Sequence, residues 1–161
     1  MKTIEIKGQN YFGSYRDTRK ACRAIIIRND MVLLSYEKNL DMYMLPGGGL
    51  ETNETEKECA IREVEEETGY IVETGESVLE IDEYYEDIKY VTIYFIGNIL
   101  RKGEQRLTPQ EIKEGMEPCL LTLDEAIAIF SKHEAYRDIF EEKRGLYLRE
   151  FVALTHLSTQ P

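Results

Sequence analysis

The stretch REVEEETGY, residues 62–70, places four carboxylates in five consecutive positions, at Glu63, Glu65, Glu66 and Glu67. On a helix, Glu63, Glu66 and Glu67 stand at positions i, i+3 and i+4 and are surface neighbours, whereas Glu65 points away from them. Like charges at this spacing destabilise an isolated helix by about 0.2–0.5 kcal/mol per pair. A hard, oxygen-preferring cation such as Mg²⁺ or Mn²⁺ turns that repulsion into coordination. The pattern therefore predicts either a divalent-metal site or a solvated acidic helix face.

The helix that carries these carboxylates is predicted over residues 55–68. Thr55 and Glu58 form a capping-box pattern at its start, and Gly69 is a C-terminal stop. A narrow apolar stripe on another side of this helix is predicted to be buried, and it consists of Ala60, Ile61, Val64 and Thr68.

A glycine run precedes the helix. A short apolar segment at 42–45 ends at Pro46, a residue that favours the start of a loop, and Gly47, Gly48 and Gly49 follow. Glycine allows a ligand to approach the main chain closely. The run is consistent with a ligand-binding loop or with a plain flexible turn.

Composition limits the class of protein. The chain has 161 residues, 42% of them hydrophobic, which fits a single globular domain over 1–161. No apolar run approaches the ~20 residues of a membrane span, and the N-terminal MKTIEIKGQN lacks the apolar centre of a secretion signal, so we expect a cytoplasmic protein. The three cysteines, at 22, 59 and 119, form no pair at metal or disulfide-framework spacing and are predicted to be reduced.

The charge of the chain is strongly acidic and local. The net charge is −11, and residues 50–70 hold eight glutamates against one lysine and one arginine. A duplex-binding protein normally presents a basic face, so this composition argues against a nucleic-acid duplex as partner. A phosphate ligand at so acidic a segment requires cations between the two.

The segment from Gly48 to Tyr70, GGLETNETEKECAIREVEEETGY, resembles the Nudix hydrolase signature G-x5-E-x7-R-E-U-x-E-E-x-G-U, in which U is a bulky apolar residue. The matching positions are Gly48, Glu54, Arg62, Glu63, Val64, Glu66, Glu67 and Gly69. Tyr70 departs mildly from the pattern, because an aliphatic residue is more usual there.

The resemblance implies an α+β fold, a Nudix-type α/β/α sandwich around a mixed β-sheet. It also implies that Glu63, Glu66 and Glu67 bind the catalytic Mg²⁺ or Mn²⁺ together with the main-chain carbonyl of Gly48. By the same resemblance, Arg62 is expected to orient these glutamates through ion pairs, with Glu54 close by. Glu66 or Glu63 is expected to deprotonate the attacking water.

Family members differ in the source of the general base, and some take it from a later loop. Glu111 and Glu114, in the polar segment 103–117, are candidates for such a contribution, and a solvated loop is the alternative for both.

Apolar runs outside the signature predict the rest of the domain. Runs at 24–27 and 31–36 flank a hairpin turn at Asn29-Asp30, and residues 78–100 predict two strands around Glu86-Asp87. Two helices with apolar sides are predicted within 123–156, to cover the sheet or a partner subunit in a homodimer.

The predicted reaction is the cleavage of a nucleoside diphosphate derivative to a nucleoside monophosphate and a phosphorylated or pyrophosphate product. No proline lies between Pro46 and Pro109, which weighs against the ADP-ribose hydrolases of the family. A nucleoside triphosphate and a dinucleoside polyphosphate both stay open as substrate, and Tyr84 or Tyr85 gives weak support to the second. A nucleotide or metal sensor of the same fold, without turnover, is the alternative function.

A basic cluster near the N-terminus supplies candidate phosphate contacts. It consists of Arg16, Arg19, Lys20 and Arg23. Among all candidates outside the signature, Arg23 and Tyr85 are predicted to bind the substrate, with ion pairing and core packing as their alternatives.

Overall fold

A tight turn joins two antiparallel strands in the first part of the chain. Asn29 and Asp30 both adopt positive φ angles, 51° and 62°, which matches the twist of the flanking strands and closes the predicted hairpin. A second hairpin turns at Glu86, whose φ is 53°, as predicted for the two strands after the signature.

The computed structural model describes residues 1–160. Its strands are β1 (Lys2–Lys7), β2 (Asp17–Arg28), β3 (Met31–Glu37), β4 (Met42–Met44), β5 (Gly47–Gly49), β6 (Tyr70–Tyr85), β7 (Ile88–Lys102) and β8 (Met116–Thr122). Its helices are α1 (Glu56–Thr68), α2 (Pro109–Glu114), α3 (Leu123–Phe130) and α4 (Glu141–Ser158), with a 3₁₀ turn at His133–Tyr136. No helix within 1–160 has the length and apolar character needed to cross a membrane.

The strands form one mixed sheet, in the order β1-β6-β7-β2-β3-β4, with β5 added to β2 and β8 added to β3. The β1–β6 and β7–β2 pairs are parallel, whereas β6–β7, β2–β3, β3–β4 and β3–β8 are antiparallel. The predicted mixed sheet is thereby confirmed.

Strand β2 supplies both faces of the sheet, because successive side chains of a strand point to opposite sides. Ala24 and Ile26 pack in a cluster with Val64 of α1, whereas Ile25 belongs to the larger core built with α3 and α4. Helices therefore cover both faces, which is the predicted α/β/α sandwich.

Two local predictions differ from the structure. Gly47–Gly49 is not a flexible turn but the short strand β5, since its backbone pairs with Ala21, Cys22 and Arg23 of β2. The polar segment 103–117 is not a plain loop, because Thr108 caps the short helix α2.

The cysteines are free thiols, as predicted, but two of them are neighbours in space. Cys22 of β2 and Cys59 of α1 are fully buried in one small cluster beneath the glycine strand.

Candidate active site

Helix α1 begins and ends where its local sequence predicts. Thr55 Oγ1 accepts a hydrogen bond from the Glu58 amide (3.1 Å), and Glu58 Oε2 accepts one from the Thr55 amide (2.8 Å). Gly69 ends the helix with a φ of 80°, a left-handed conformation that glycine adopts without strain. The predicted stripe is buried at Ala60, Val64 and Thr68 and half-buried at Ile61, which fixes the rotation of the helix.

Arg62 lies at the centre of the acidic residues. Its Nε and Nη2 donate to the two oxygens of Glu54, at 2.9 and 2.8 Å, in a bidentate pair. Its Nη1 donates to both Glu63 Oε1 (2.9 Å) and Glu66 Oε2 (3.1 Å), and Nη2 also donates to the Gly49 carbonyl (3.2 Å). The hydrogen bond from Arg62 lowers the pKa of Glu54 to about 2. The guanidinium thus brings three carboxylates together.

Glu67 is the deepest of the signature glutamates. Its residue surface is only 4% exposed, and its Oε2 accepts from Ser35 Oγ (2.7 Å) and from the Gly47 amide (3.3 Å). Burial raises the pKa of Glu67 to about 8, against the opposing charge of Arg23 and the bond from Ser35. Without a neighbouring cation this carboxyl group therefore tends to hold a proton at neutral pH.

Gly48 leaves room for the carboxylate of Glu63. A Cβ atom at position 48 would lie 2.6 Å from the Glu63 carboxylate, closer than any real side chain allows. Burial of Glu63 also raises the pKa of its carboxyl group, although Arg62 opposes the shift. Gly48 therefore lies directly against Glu63, while its carbonyl accepts a hydrogen bond from Cys59 Sγ at 3.6 Å. A role of that carbonyl in binding a cation stays a prediction.

The donor chemistry of this cluster fits a hard divalent cation, because it consists only of carboxylate and main-chain carbonyl oxygens. The arrangement within residues 1–160 nevertheless contains no three His, Cys, Asp or Glu side chains placed to hold one ion. Nη1 of Arg62 instead lies between Glu63 and Glu66 and bonds to both. In this arrangement both carboxylates are therefore directed at Arg62.

A cavity of about 730 Å³ lies on the face of the sheet covered by α4. Its walls include Arg23 and Tyr85, both predicted to bind substrate, together with Glu83, Tyr90 and Arg149. Arg23 pairs with Gly47 in the adjacent strand, and the Gly47 amide bonds to Glu67. Arg23 thus links the cavity to Glu67, although none of the signature glutamates lines the cavity itself. Tyr84 is buried on the other side of β6 and does not line the cavity.

The rest of the basic cluster is dispersed. Arg16 forms an ion pair with Asp87, and Lys20 forms one with Glu56 at 2.8 Å. Arg19 lies over the ring of Tyr90, 5.9 Å from its centroid. For Arg16 and Lys20, the ion-pairing alternative describes the structure.

The two later glutamates occupy α2. Glu111 Oε1 accepts from the Thr108 amide (2.8 Å) and completes a capping box, and its charge also contributes to the raised pKa of Glu63 and Glu67. Glu114 lies near the buried Glu37, and burial, followed by the influence of Glu114, raises the pKa of Glu37 to about 8. A contribution of Glu111 or Glu114 to catalysis stays a prediction.

Sequence reasoning missed Glu83 and Arg149 of the cavity. Glu83 stands two residues before Tyr85 in a strand, so the same face was readable from the pattern. Arg149 had no such signal, because its position depends on how α4 crosses the sheet.

A sequence model of one protein family, described as the NUDIX domain, matches residues 17–143 and so covers most of the chain. The chain belongs to the Nudix family. This membership makes it a hydrolase of phosphoric anhydride bonds, as the signature predicts. No curated protein matches the chain by sequence.

Solved structures agree with the Nudix fold. A NUDIX hydrolase from Nitrosomonas europaea is 19% identical, with a TM-score of 0.62 and coverage of 88% of this chain and 90% of the other. The E. coli ORF135 protein is 16% identical, with a TM-score of 0.55 and coverage of 92% and 97%. A UDP-X diphosphatase is 21% identical, with a TM-score of 0.56, and the match covers 69% of this chain but only 54% of that enzyme. At such identities the likeness establishes the fold alone.

Proposed function

We propose that this Nudix hydrolase cleaves a nucleoside diphosphate derivative, of the nucleoside triphosphate or dinucleoside polyphosphate class, in the presence of Mg²⁺ or Mn²⁺. The products are a nucleoside monophosphate and a phosphorylated or pyrophosphate fragment. The observation that carries the proposal is the convergence of Glu63 and Glu66 on one nitrogen of Arg62, beside the buried Glu67 and in contact with Gly48.

Four groups are proposed to hold the cation: the carboxylates of Glu63, Glu66 and Glu67 and the main-chain carbonyl of Gly48. When bound, a divalent cation neutralises the pyrophosphate and makes a coordinated water more acidic. The chain's own task is to keep these oxygens close together despite their mutual repulsion. The packing of α1 against the sheet and the bonds of Ser35 and Gly47 to Glu67 do this.

Arg62 is proposed as the residue that orients the glutamates. Two of its nitrogens are held by Glu54, so the guanidinium stays anchored when Nη1 releases Glu63 and Glu66. In that position it remains a positive charge at the edge of the site, available to a phosphoryl oxygen.

The proton of the attacking water is proposed to pass to Glu66 or Glu63. The Glu66 side chain is 31% exposed, against 14% for Glu63, so water reaches Glu66 more readily. Arg23 and Tyr85 are proposed to bind the nucleoside part, because both line the cavity and Arg23 pairs with Gly47, whose amide bonds to Glu67. A cytoplasmic location and a homodimer stay predictions from the sequence.

The test is hydrolysis of a panel of nucleoside triphosphates, dinucleoside polyphosphates and nucleoside diphosphate sugars with Mg²⁺, followed by detection of nucleoside monophosphate. We expect release from at least one of the first two classes and none after chelation with EDTA. Glu66→Gln should reduce the rate strongly, whereas Glu65→Gln, on the same helix but bonded to Arg106, should not. No product from any compound, by a protein that binds Mg²⁺, would favour the non-catalytic sensor.

A further inference from the structure

The floor of the cavity contains a rigid arginine with an unsatisfied donor. Arg149 Nε donates to Glu150 Oε1 at 3.0 Å, and Glu150, which is fully buried, also accepts from Tyr94 Oη (2.7 Å) and the Leu45 amide (2.6 Å). These bonds fix the guanidinium. Its Nη2 is buried and has no hydrogen-bond partner within residues 1–160.

A second arginine repeats this pattern. Arg23 Nη1 donates to the Leu45 carbonyl at 2.7 Å, while its Nε is buried and unpartnered in the described chain. An unsatisfied buried donor costs roughly 1–3 kcal/mol. Both arginines line the same cavity, and a ligand that supplied two acceptor atoms there would remove this cost.

Glu83 is buried, with 3% of its surface exposed, and its carboxylate lacks strong hydrogen-bond donors. Its Oε1 accepts only a long bond of 3.4 Å from Tyr85 Oη, and its Oε2 lies 3.6 Å from Arg149 Nη1. Both carboxylate oxygens therefore have capacity for a stronger donor. Tyr85 itself is held in place, because its ring lies so close to Gly8 that a Cβ there would be 2.6 Å from Cε1.

We infer that this cavity selects guanine among the nucleobases, an inference that rests on the proposed nucleotide substrate. Guanine presents two parallel donors, N1–H and the 2-amino group, which match the two oxygens of Glu83. It also presents two neighbouring acceptors, O6 and N7, of the kind that guanidinium groups bind. The free donors of Arg23 and Arg149 match these acceptors.

Other ligands leave part of the cavity unsatisfied. Adenine, cytosine and uracil lack a pair of parallel donors on adjacent positions for the carboxylate. The cavity is lined by four carboxylates, of Glu83, Asp138, Glu141 and Glu142, and by four guanidinium groups, of Arg23, Arg137, Arg144 and Arg149, so its charges balance. The charge of the walls therefore favours a neutral base with mixed donors and acceptors.

The test measures binding of GMP, IMP, AMP and UMP by calorimetry in EDTA, so that it depends on neither metal nor turnover. IMP is the matched probe, because it lacks only the 2-amino group of GMP. We expect GMP to bind at least about tenfold more tightly than IMP or AMP. Equal affinity for GMP and IMP, or no binding of GMP at millimolar concentration, would overturn the inference.

Glu83→Gln keeps the side-chain shape but replaces one acceptor oxygen with a donor. The ratio of GMP to IMP affinity should fall towards one, whereas Glu76→Gln, an exposed change in the same strand, should preserve it. An unchanged ratio in a folded Glu83→Gln protein would contradict the assignment, and if that variant does not fold, the GMP-to-IMP ratio of the unmodified protein decides. Hydrolysis without preference for a nucleobase would contradict only this inference. Guanine-selective binding without hydrolysis would contradict only the proposed reaction.

Discussion

Arg62 binds Glu54 through two parallel hydrogen bonds, of 2.9 and 2.8 Å, and binds Glu63 and Glu66 through a single nitrogen. The first pair is geometrically the stronger, because a bidentate guanidinium–carboxylate pair satisfies both oxygens in one plane. We therefore expect Glu54 to position Arg62, and Arg62 to position Glu63 and Glu66.

Glu54→Gln should leave the fold intact and impair the site. The neutral amide keeps one acceptor for Arg62 but removes the charge and the second bond, so the guanidinium is less firmly held. We expect Mg²⁺ affinity or turnover to fall about 10–100-fold, the range found for residues that orient ligands. The dependence of the initial rate on Mg²⁺ concentration measures both the affinity and the turnover. Glu51→Gln is the control, since Glu51 lies 3.8 Å from Arg62 and is mostly exposed. Equal losses in both variants would contradict the positioning role.

Gly48→Ala should displace the Glu63 carboxylate, because the new methyl group would lie 2.6 Å from it. The clash is with the far end of a side chain, so we expect the protein to fold but to lose at least about tenfold in Mg²⁺ affinity. Gly49→Ala is the matched control, since a Cβ at position 49 meets no atom within 4 Å. Thermal stabilisation by Mg²⁺ reports the difference without any substrate. A normal Mg²⁺ response in Gly48→Ala would show that the contact is unimportant.

Glu67→Gln should remove most turnover while making the metal-free protein more stable at high pH. The folded pKa of Glu67, about 8, lies above its ordinary 4.5, so the folded state binds this proton more tightly than the unfolded chain. The stabilisation is complete below about pH 4.5 and is lost as the pH rises through about 8. A glutamine avoids that loss, and we expect the free energy of unfolding of the variant to exceed that of the unmodified protein by on the order of 4 kcal/mol at pH 8.

Urea denaturation in EDTA at pH 5 and pH 8 measures the difference in the free energy of unfolding between Glu67→Gln and the unmodified protein. Part of the pH dependence should remain in Glu67→Gln, because burial also raises the pKa of Glu37 to about 8. Glu65→Gln is the control on the same helix. Wild-type turnover by Glu67→Gln would mean that Glu67 does not bind the cation.

Glu150→Ala should destabilise the protein strongly. Glu150 is fully buried and accepts from Arg149, Tyr94 and the Leu45 amide, so its removal leaves a buried guanidinium without its nearest counter-charge. Breaking a buried pair in this way typically costs about 3–5 kcal/mol. Denaturation midpoints measure the loss, and Glu142→Ala, at an exposed position of the same helix, should change stability by less than about 0.5 kcal/mol.

The sequence by itself determined helix α1, which carries the signature glutamates, and the hairpin turn at Asn29-Asp30. Thr55, Glu58 and Gly69 satisfy the backbone groups at the two ends of α1, and Asn29-Asp30 supplies the φ angles of a tight hairpin turn. Such effects act between residues a few positions apart, so the pattern alone is enough to predict them. The spacing of Glu63, Glu66 and Glu67 is fixed in the same way, by the pitch of the helix.

Only the tertiary structure decided what surrounds that helix. The glycine run became strand β5 because its backbone groups meet free partners on β2, and no local propensity of glycine predicts that pairing. The cavity joins Arg23 of β2, Glu83 of β6 and Arg149 of α4, which are far apart in the chain. Their meeting depends on the order of strands in the sheet and on the packing of α4 across it. Those long-range contacts leave no periodic signal in the sequence. The signature is therefore enough to predict the reaction, whereas the folded chain is needed to infer which nucleobase the cavity binds.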